Sequence, residues 1–575
     1  LGAGVASAAS QTFTDVTLDA GDSLTVTSKD GATVYTPAGT VTGTTNATSD
    51  NTNKTFAATG DTLDSGAAVY LNGGVLVLTG TSTDAVVKAD DAANSKTTSG
   101  TITLNSVASA GAGTLVTYDD LEEGTFSKLD LNLNVFNAAT GGTAGNVTIG
   151  ESTKDLTIKE GTLKTGTIEG SSTAANKVAG TATITGKNLE FGVATGTVGD
   201  NKEPSATNPG SAYDFDNAAD VRLDVTAAET VKFNKGTITN AGTMKVTGAK
   251  GVTVGKEVSI ANTGDLTFTD TEAVNFNADY TATAGHLVIK SAANTIYGNI
   301  TADSLKFGIR ITDSDTAKET NQVVITATAS GTNTIKYGST VDVKALTVAD
   351  KATTVKGALK AAATTIGANQ TGGLTVEDAS NEKLAVVTLG DITVGSTKET
   401  EKDAGSFTLT NTAKNAVEAS SLTVVKNSTT ANTFALNAGK FSVGKLTNQG
   451  KVTLTDGEEF TLTGEGANAS GAEITLASSK EYASLVVAEG ASLQNQGSIT
   501  ATDGEGKIYV GGTLTNLPEI AATTTAAKVP AGTIKAAAVE VDGVLSTALD
   551  TATYDVAETT INTAGELQTS LNAIL

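Results

Sequence analysis

Residues able to carry acid–base, nucleophilic or metal chemistry are few in this sequence and weakly grouped. His286 is the single histidine, in Gly285-His286-Leu287, and there is no cysteine. A Ser/His/Asp centre would have to use His286, yet no Gly-x-Ser-x-Gly elbow lies near it. It reads as a structural or surface residue at a strand edge. Carboxylates are more plentiful: Asp119-Asp120 with Glu122-Glu123, Asp214-Phe215-Asp216-Asn217, Asp313-Ser314-Asp315 and Asp456-Gly457-Glu458-Glu459. Glycoside hydrolysis needs two carboxylates roughly 5–10 Å apart, in a groove with aromatic platforms, and tryptophan is absent. Short acidic runs at turns are ordinary solvated loops. Calcium wants several oxygen ligands, and Asp214, Asp216 and Asn217, or Asp313 and Asp315, are its candidates, though none fits a twelve-residue calcium loop. No other metal or cofactor is expected, and no catalytic residue is assigned. Arg222 and Arg310 are the only arginines, and both read as surface strand residues.

The elements that would position these residues are short. Leu129, Leu131, Leu133 and Val135 alternate with Asp130, Asn132 and Asn134, the period of two of a strand with one buried face. Val147/Ile149, Leu156/Ile158, Leu163 and Ile168 continue the style, with Gly, Asn, Thr and Asp between them as turn formers.

Residues 223–296 are the most regular. Strand-like pieces fall about six to eight residues apart, and every third one returns after about 22 residues: Leu223 to Met244 to Leu266 to Val288, Val231 to Val252 to Val274 to Ile296, and Ile238 to Ile260. Three short strands per coil of about 22 residues is the arithmetic of a parallel β-helix. Coils stacked at ~4.8 Å would set like side chains in ladders. An apolar-x-Asn-x-Gly phrase recurs with Asn240/Gly242, Asn262/Gly264, Asn448/Gly450 and Asn495/Gly497. Asn and Gly tolerate left-handed backbone, so these eight residues are predicted to form tight corners.

Composition bounds the functional classes. The 575 residues carry 38 Lys+Arg against 62 Asp+Glu, a net charge of -24. A chain this acidic, with no basic stripe, is a poor nucleic-acid partner. Without cysteine it has no disulfides or thiolate metal sites. No run of about 18 apolar residues is present, so no membrane-spanning segment is expected. Roughly 100 threonines, far above average usage, and regular Val, Leu and Ile runs argue for order rather than disorder.

The expected organisation is a signal-peptide remnant at residues 1–8, from the Ala6-Ser7-Ala8 pattern, then less regular β structure over 9–120. Coils are expected over 121–200, the main β-helix over 201–520, and a capping or truncated segment over 521–575. The run 199–217, with Pro204 and Pro209, is the best boundary candidate. Leu567, Leu571 and Ile574/Leu575 fall at helical spacing and suggest a capping helix.

The Leu-Thr-Asn-Gln-Gly-Lys-Val phrase at 446–452, Gly-Thr-Leu-Thr-Asn at 512–516 and the Thr/Asn/Gly-rich coils resemble the passenger regions of bacterial autotransporter adhesins. That resemblance covers roughly residues 145–520. It implies a right-handed β-helix displayed at the cell surface, secreted across the outer membrane and engaged in adhesion, although the family's C-terminal barrel strands are not visible in this sequence. S-layer proteins are similar in composition, although no surface-layer anchor or Gly-Gly-x-Gly-x-Asp repeat is seen. The leading expectation is therefore a non-catalytic adhesin or stalk whose partners are host or bacterial surface glycans and proteins. An S-layer or filament subunit that self-associates comes second, and a polysaccharide-active enzyme third.

Overall fold

The computed structural model of the chain describes residues 9–569 apart from 20, 30–31, 46–52, 58–59, 73–74, 81–85, 90–100, 106–112, 116–124, 127, 140–143, 145, 151, 170–176, 197–208, 309–320, 397, 399–402, 428, 456–457, 478–482 and 503–505. The sequence expectations for residues 1–8, for Asp119, Asp120, Glu122 and Glu123, for Arg310, Asp313 and Asp315, and for Asp456 and Gly457 lie outside the described residues. The described residues are all-β, and no helix is found among them. Two compact units are formed, Leu1–Ala292 and Ala293–Leu575, and both are parallel β-helical solenoids.

In the first unit the strands Arg222–Ala227, Thr243–Gly248 and Asp265–Asp270 stack in parallel. The register Arg222↔Thr243↔Asp265↔His286 advances by 21, 22 and 21 residues. Alternation decides which side chains enter the core. Ile149, Ile184, Val225, Val246, Phe268 and Ile289 form one inward ladder across six coils, and Ile158, Phe191, Phe233, Val254 and Phe276 form another. The Leu223–Met244–Leu266 ladder ends on buried Leu287 rather than on Val288. The coil from Asp265 to His286 is 21 residues long, one fewer than a strict 22-residue period requires, and a one-residue slip moves a side chain to the opposite face.

In the second unit Leu374, Leu409, Leu436, Leu454 and Leu476 make an equivalent column. Phe441, Phe460, Leu485, Ile508 and Val539 make another. Each such Leu or Phe contributes roughly 1.5–3 kcal/mol by leaving water. The scarce aromatics are concentrated where they touch. Phe191 and Phe233 stack at 5.3 Å in the first unit, and Phe441 and Phe460 lie 5.4 Å apart in the second.

The less regular N-terminal region mixes directions. Thr12–Asp19 pairs in parallel with Thr62–Asn72 and antiparallel with Thr42–Gly43, and Ser23–Lys29 forms an antiparallel pair with Ala32–Ala38. Parallel stacking nevertheless begins here, through Ser23↔Val75, Val75↔Thr101 and Thr101↔Asp130. Val193 and Ser211, on the two sides of the proline-bearing stretch, are joined by an antiparallel bridge. Strands on the two sides of that stretch pair directly, Gly161–Glu169 with Tyr213–Asn217, so coil stacking continues on both sides of this boundary candidate.

After Ala521 the coils also continue. Residues 521–528 lie in an excursion closed by an Ile520↔Val529 bridge, and Thr533–Val541, Val544–Thr547, Thr553–Ile561 and Glu566–Thr569 resume parallel pairing. Leu567 is a strand residue opposite Leu545. The helical spacing is therefore overridden at that position by the open edge of the preceding coil, which offers a complete row of hydrogen-bonding groups.

Candidate functional site

The eight residues predicted as tight corners do flank bends between strands, at 241–242, 263–264, 449–450 and 496–497, but by another backbone geometry than the left-handed one expected. None of Asn240, Gly242, Asn262, Gly264, Asn448, Gly450, Asn495 and Gly497 has a left-handed backbone. The four asparagines lie at strand ends, two residues after an inward apolar residue, and parity sends their amides into the core, where they are fully buried or nearly so. There they form hydrogen-bonded strings. In the first unit Thr165 Oγ1 donates to Asn217 Oδ1, Asn217 Nδ2 to Asn240 Oδ1, and Asn240 Nδ2 to Asn262 Oδ1, each at 2.7 Å. Asn262 ends the string by donating to the His286 carbonyl at 2.9 Å.

In the second unit Asn448, Asn468, Asn495 and Asn516 donate in turn at 2.8–2.9 Å, and Asn516 ends on Thr547 Oγ1 at 3.3 Å. Each Nδ2 sends its other hydrogen to a backbone carbonyl, as Asn468 does to Ser498 at 3.0 Å. A buried amide satisfied this way avoids the penalty of an unpaired polar group. The glycines serve close approach rather than chirality: a methyl group on Gly264 would collide with the Gly242 carbonyl oxygen of the preceding coil.

This arrangement breaks up the first calcium set. On strand Tyr213–Asn217, Asp214 and Asp216 point outward and Asn217 inward. Asp214 accepts from the Thr237 amide at 2.7 Å, and Asn217 is committed to its string, so the three cannot converge on one ion. Among the described residues no cluster of three or more His, Cys, Asp or Glu could hold a metal. His286 opens the strand His286–Ile296, partly exposed, with its amide bonded to the Gly264 carbonyl at 2.8 Å. Arg222 is exposed and binds both Asp224 oxygens at 3.0 Å.

What remains for chemistry is the outer face. A groove of about 620 Å³ lies on the second unit, lined among others by Glu459, Ser484, Lys507, Tyr509, Glu540 and Glu558. It arises from register. Glu459, Ser484, Lys507, Ala538 and Glu558 are one outward column on successive coils, and Val486, Tyr509, Glu540 and Thr560 are the next. Small Ser484 and Ala538 leave hollows between longer neighbours. The Tyr509 hydroxyl donates to Asp542, and this bond, chiefly, holds the phenol's pKa above its ordinary value. Asn562 Nδ2 fixes Glu540 at 2.9 Å. The groove offers carboxylate acceptors, an ammonium and a phenol ring along a line crossing five strands. That set is suited to hydrogen-bonding an extended hydroxyl-rich chain.

Sequence reading missed this groove because its residues come from five coils separated by unequal loops. It also missed Asn217, Asn468 and Asn516 as members of the strings. For these the signal was present: each shares the parity of inward residues before it, as in Phe215-x-Asn217 and Leu514-x-Asn516. Comparison with protein-family models, with curated proteins and with solved structures finds no match to this chain.

Proposed function

We propose that the chain is a non-catalytic adhesin or stalk of the bacterial cell surface, acting through many weak contacts along its outer columns. The observation that carries this reading is the registered repetition of polar side chains on the outside. Thr185, Thr226, Thr247 and Thr269 stack on four coils of the first unit, and Thr453, Thr475 and Thr500 on three coils of the second. Identical donors and acceptors repeated at ~4.8 Å suit repetitive ligands such as surface glycans, where individually weak contacts gain by multivalency. The cell-surface location rests on the sequence resemblance to autotransporter passengers.

The test is binding of the purified chain, free and clustered on beads, to a panel of neutral and acidic glycans and to intact cells. Binding that is weak for the free chain and at least a hundredfold tighter on beads is the expected result. Ordered sheets or fibres formed by the pure protein under the electron microscope would instead make it an S-layer or filament subunit. Release of reducing ends or unsaturated products from a polysaccharide would make it an enzyme.

A further inference from the structure

Among the described residues two aromatic rings stand out in water, Tyr297 at 49% and Tyr337 at 48% exposure. Both belong to the second unit and to the same corner of consecutive coils. The corner residues 336–339 stack directly on 297–299: the Lys336 amide donates to the Ile296 carbonyl at 2.9 Å, and Ser339 Oγ donates to the Gly298 carbonyl. Tyr337 is displayed by a tight turn, closed by the Ser339 amide on the Lys336 carbonyl at 3.1 Å. Gly338 supplies the positive φ of 88° that the third position of a type II turn requires. Sequence therefore dictates the display: Lys-Tyr-Gly-Ser turns the ring outward instead of into the ladder.

Each ring is accompanied by an ammonium. Lys336 Nζ lies 6.0 Å from the Tyr297 ring centroid, and Lys383 Nζ lies 5.3 Å from that of Tyr337. Among the described residues neither lysine has a carboxylate within ion-pair distance, although the chain is strongly acidic. Of the three carboxylates in residues 377–385, Glu377 is paired with Lys356 at 3.0 Å. Asp378 is occupied by the Ala385 and Lys414 amides at 2.8 and 2.9 Å, which leaves Glu382. Neither phenol has a hydrogen-bond partner among the described residues. Among the described residues the corner thus carries two half-exposed rings, two cations without counter-ions and two open hydroxyls, offset by one coil or ~4.8 Å.

We propose that this corner binds an anionic saccharide. The apolar C–H face of a pyranose would lie on the Tyr297 or Tyr337 ring, and the sugar's carboxylate or sulfate would meet the Lys336 or Lys383 ammonium in a charge-assisted hydrogen bond. A neutral sugar would use the rings alone, and a small inorganic anion the lysines alone. Only a ligand with both features uses the whole corner. This inference rests on the adhesin reading and names one ligand class and one place for it.

The experiment is calorimetric titration of the full chain with three probes of equal length: an oligogalacturonate, a sulfated oligosaccharide and a neutral oligogalactose. One or both acidic probes should bind at least about tenfold more tightly than the neutral one, as a charge-assisted contact provides, and a difference between them identifies the preferred anion. Y297A/Y337A should lose binding of every probe. K336Q/K383Q should bring acidic-probe affinity down to the neutral level, and Tyr→Phe at both sites should retain most of it. All four sites are at the surface, so thermal midpoints should match the parent. Acidic-probe binding unchanged in both Ala and Gln double variants would overturn the site while leaving the adhesin reading standing. A chain that binds no glycan and no cell surface would remove both.

Discussion

Asn468 is the residue on which the buried polar string of the second unit turns. It accepts from Asn448 and donates to Asn495, both at 2.8 Å, while its second hydrogen goes to a backbone carbonyl. Asn468→Leu would strand a donor on one neighbour and an acceptor on the other, each costing about 1–3 kcal/mol. A loss of about 2–5 kcal/mol in chemical denaturation is expected, against less than about 0.5 kcal/mol for Thr515→Ala on the outer face. Tyr213 is the opposite case. Its ring is stacked on Phe191 at 5.6 Å and almost fully buried, but its hydroxyl meets no partner. Burial, assisted by the Asp130 carboxylate, pushes its pKa well above the ordinary phenol value. Removing an unsatisfied buried hydroxyl relieves a penalty, so Tyr213→Phe should leave the thermal midpoint unchanged or raise it. A drop of several degrees would show that the hydroxyl is bonded.

Between elements, neighbouring coils are joined at the surface by lysine–carboxylate contacts such as Lys250–Glu229 at 2.8 Å and Lys451–Glu473 at 3.0 Å. The hydrogen bond from Lys250 is the main cause holding Glu229 below its ordinary pKa. A carboxyl depressed in the folded state binds its proton more readily when unfolded. Its contribution is therefore present above the unfolded value and lost as pH falls through the folded one. Exposed pairs of this kind matter little energetically, so the place to look is the titration itself. The Glu229 carboxyl, followed by NMR, should have a midpoint below that of an ordinary glutamate, moving upward in Lys250→Met. An unmoved midpoint would remove the pairing.

At the scale of a whole unit, the solenoid is modular because each coil contacts chiefly its neighbours. Residues 243–264 make up one complete coil of the first unit, since Arg222↔Thr243 and Thr243↔Asp265 are successive registers. Deleting them should bring Asp265 under Arg222 and let Asn240 inherit the hydrogen bond of Asn262 to the His286 carbonyl. The shortened chain should keep its far-UV β spectrum and a cooperative melt. Deleting only 243–253 breaks the register and should abolish both. Equal tolerance of the two deletions would contradict coil-by-coil stacking.

The sequence determined a good deal of this. Strict alternation in Leu129–Val135 and the return of Leu223 at Met244 and Leu266 fixed the strand type, the parallel direction and the coil length, because a buried ladder forces identical parity in every turn. That parity also placed Asn240 and Asn262 inward, although Asn-x-Gly by itself suggested a chiral corner. Tertiary structure decided what lies across coils of unequal length. It joined Thr165 to Asn217 over 52 residues, set Lys383 above Tyr337, and gathered outward residues of five coils into the Tyr509 groove. No local spacing encodes such neighbours, because each intervening loop resets the count before the next strand settles on the edge below it.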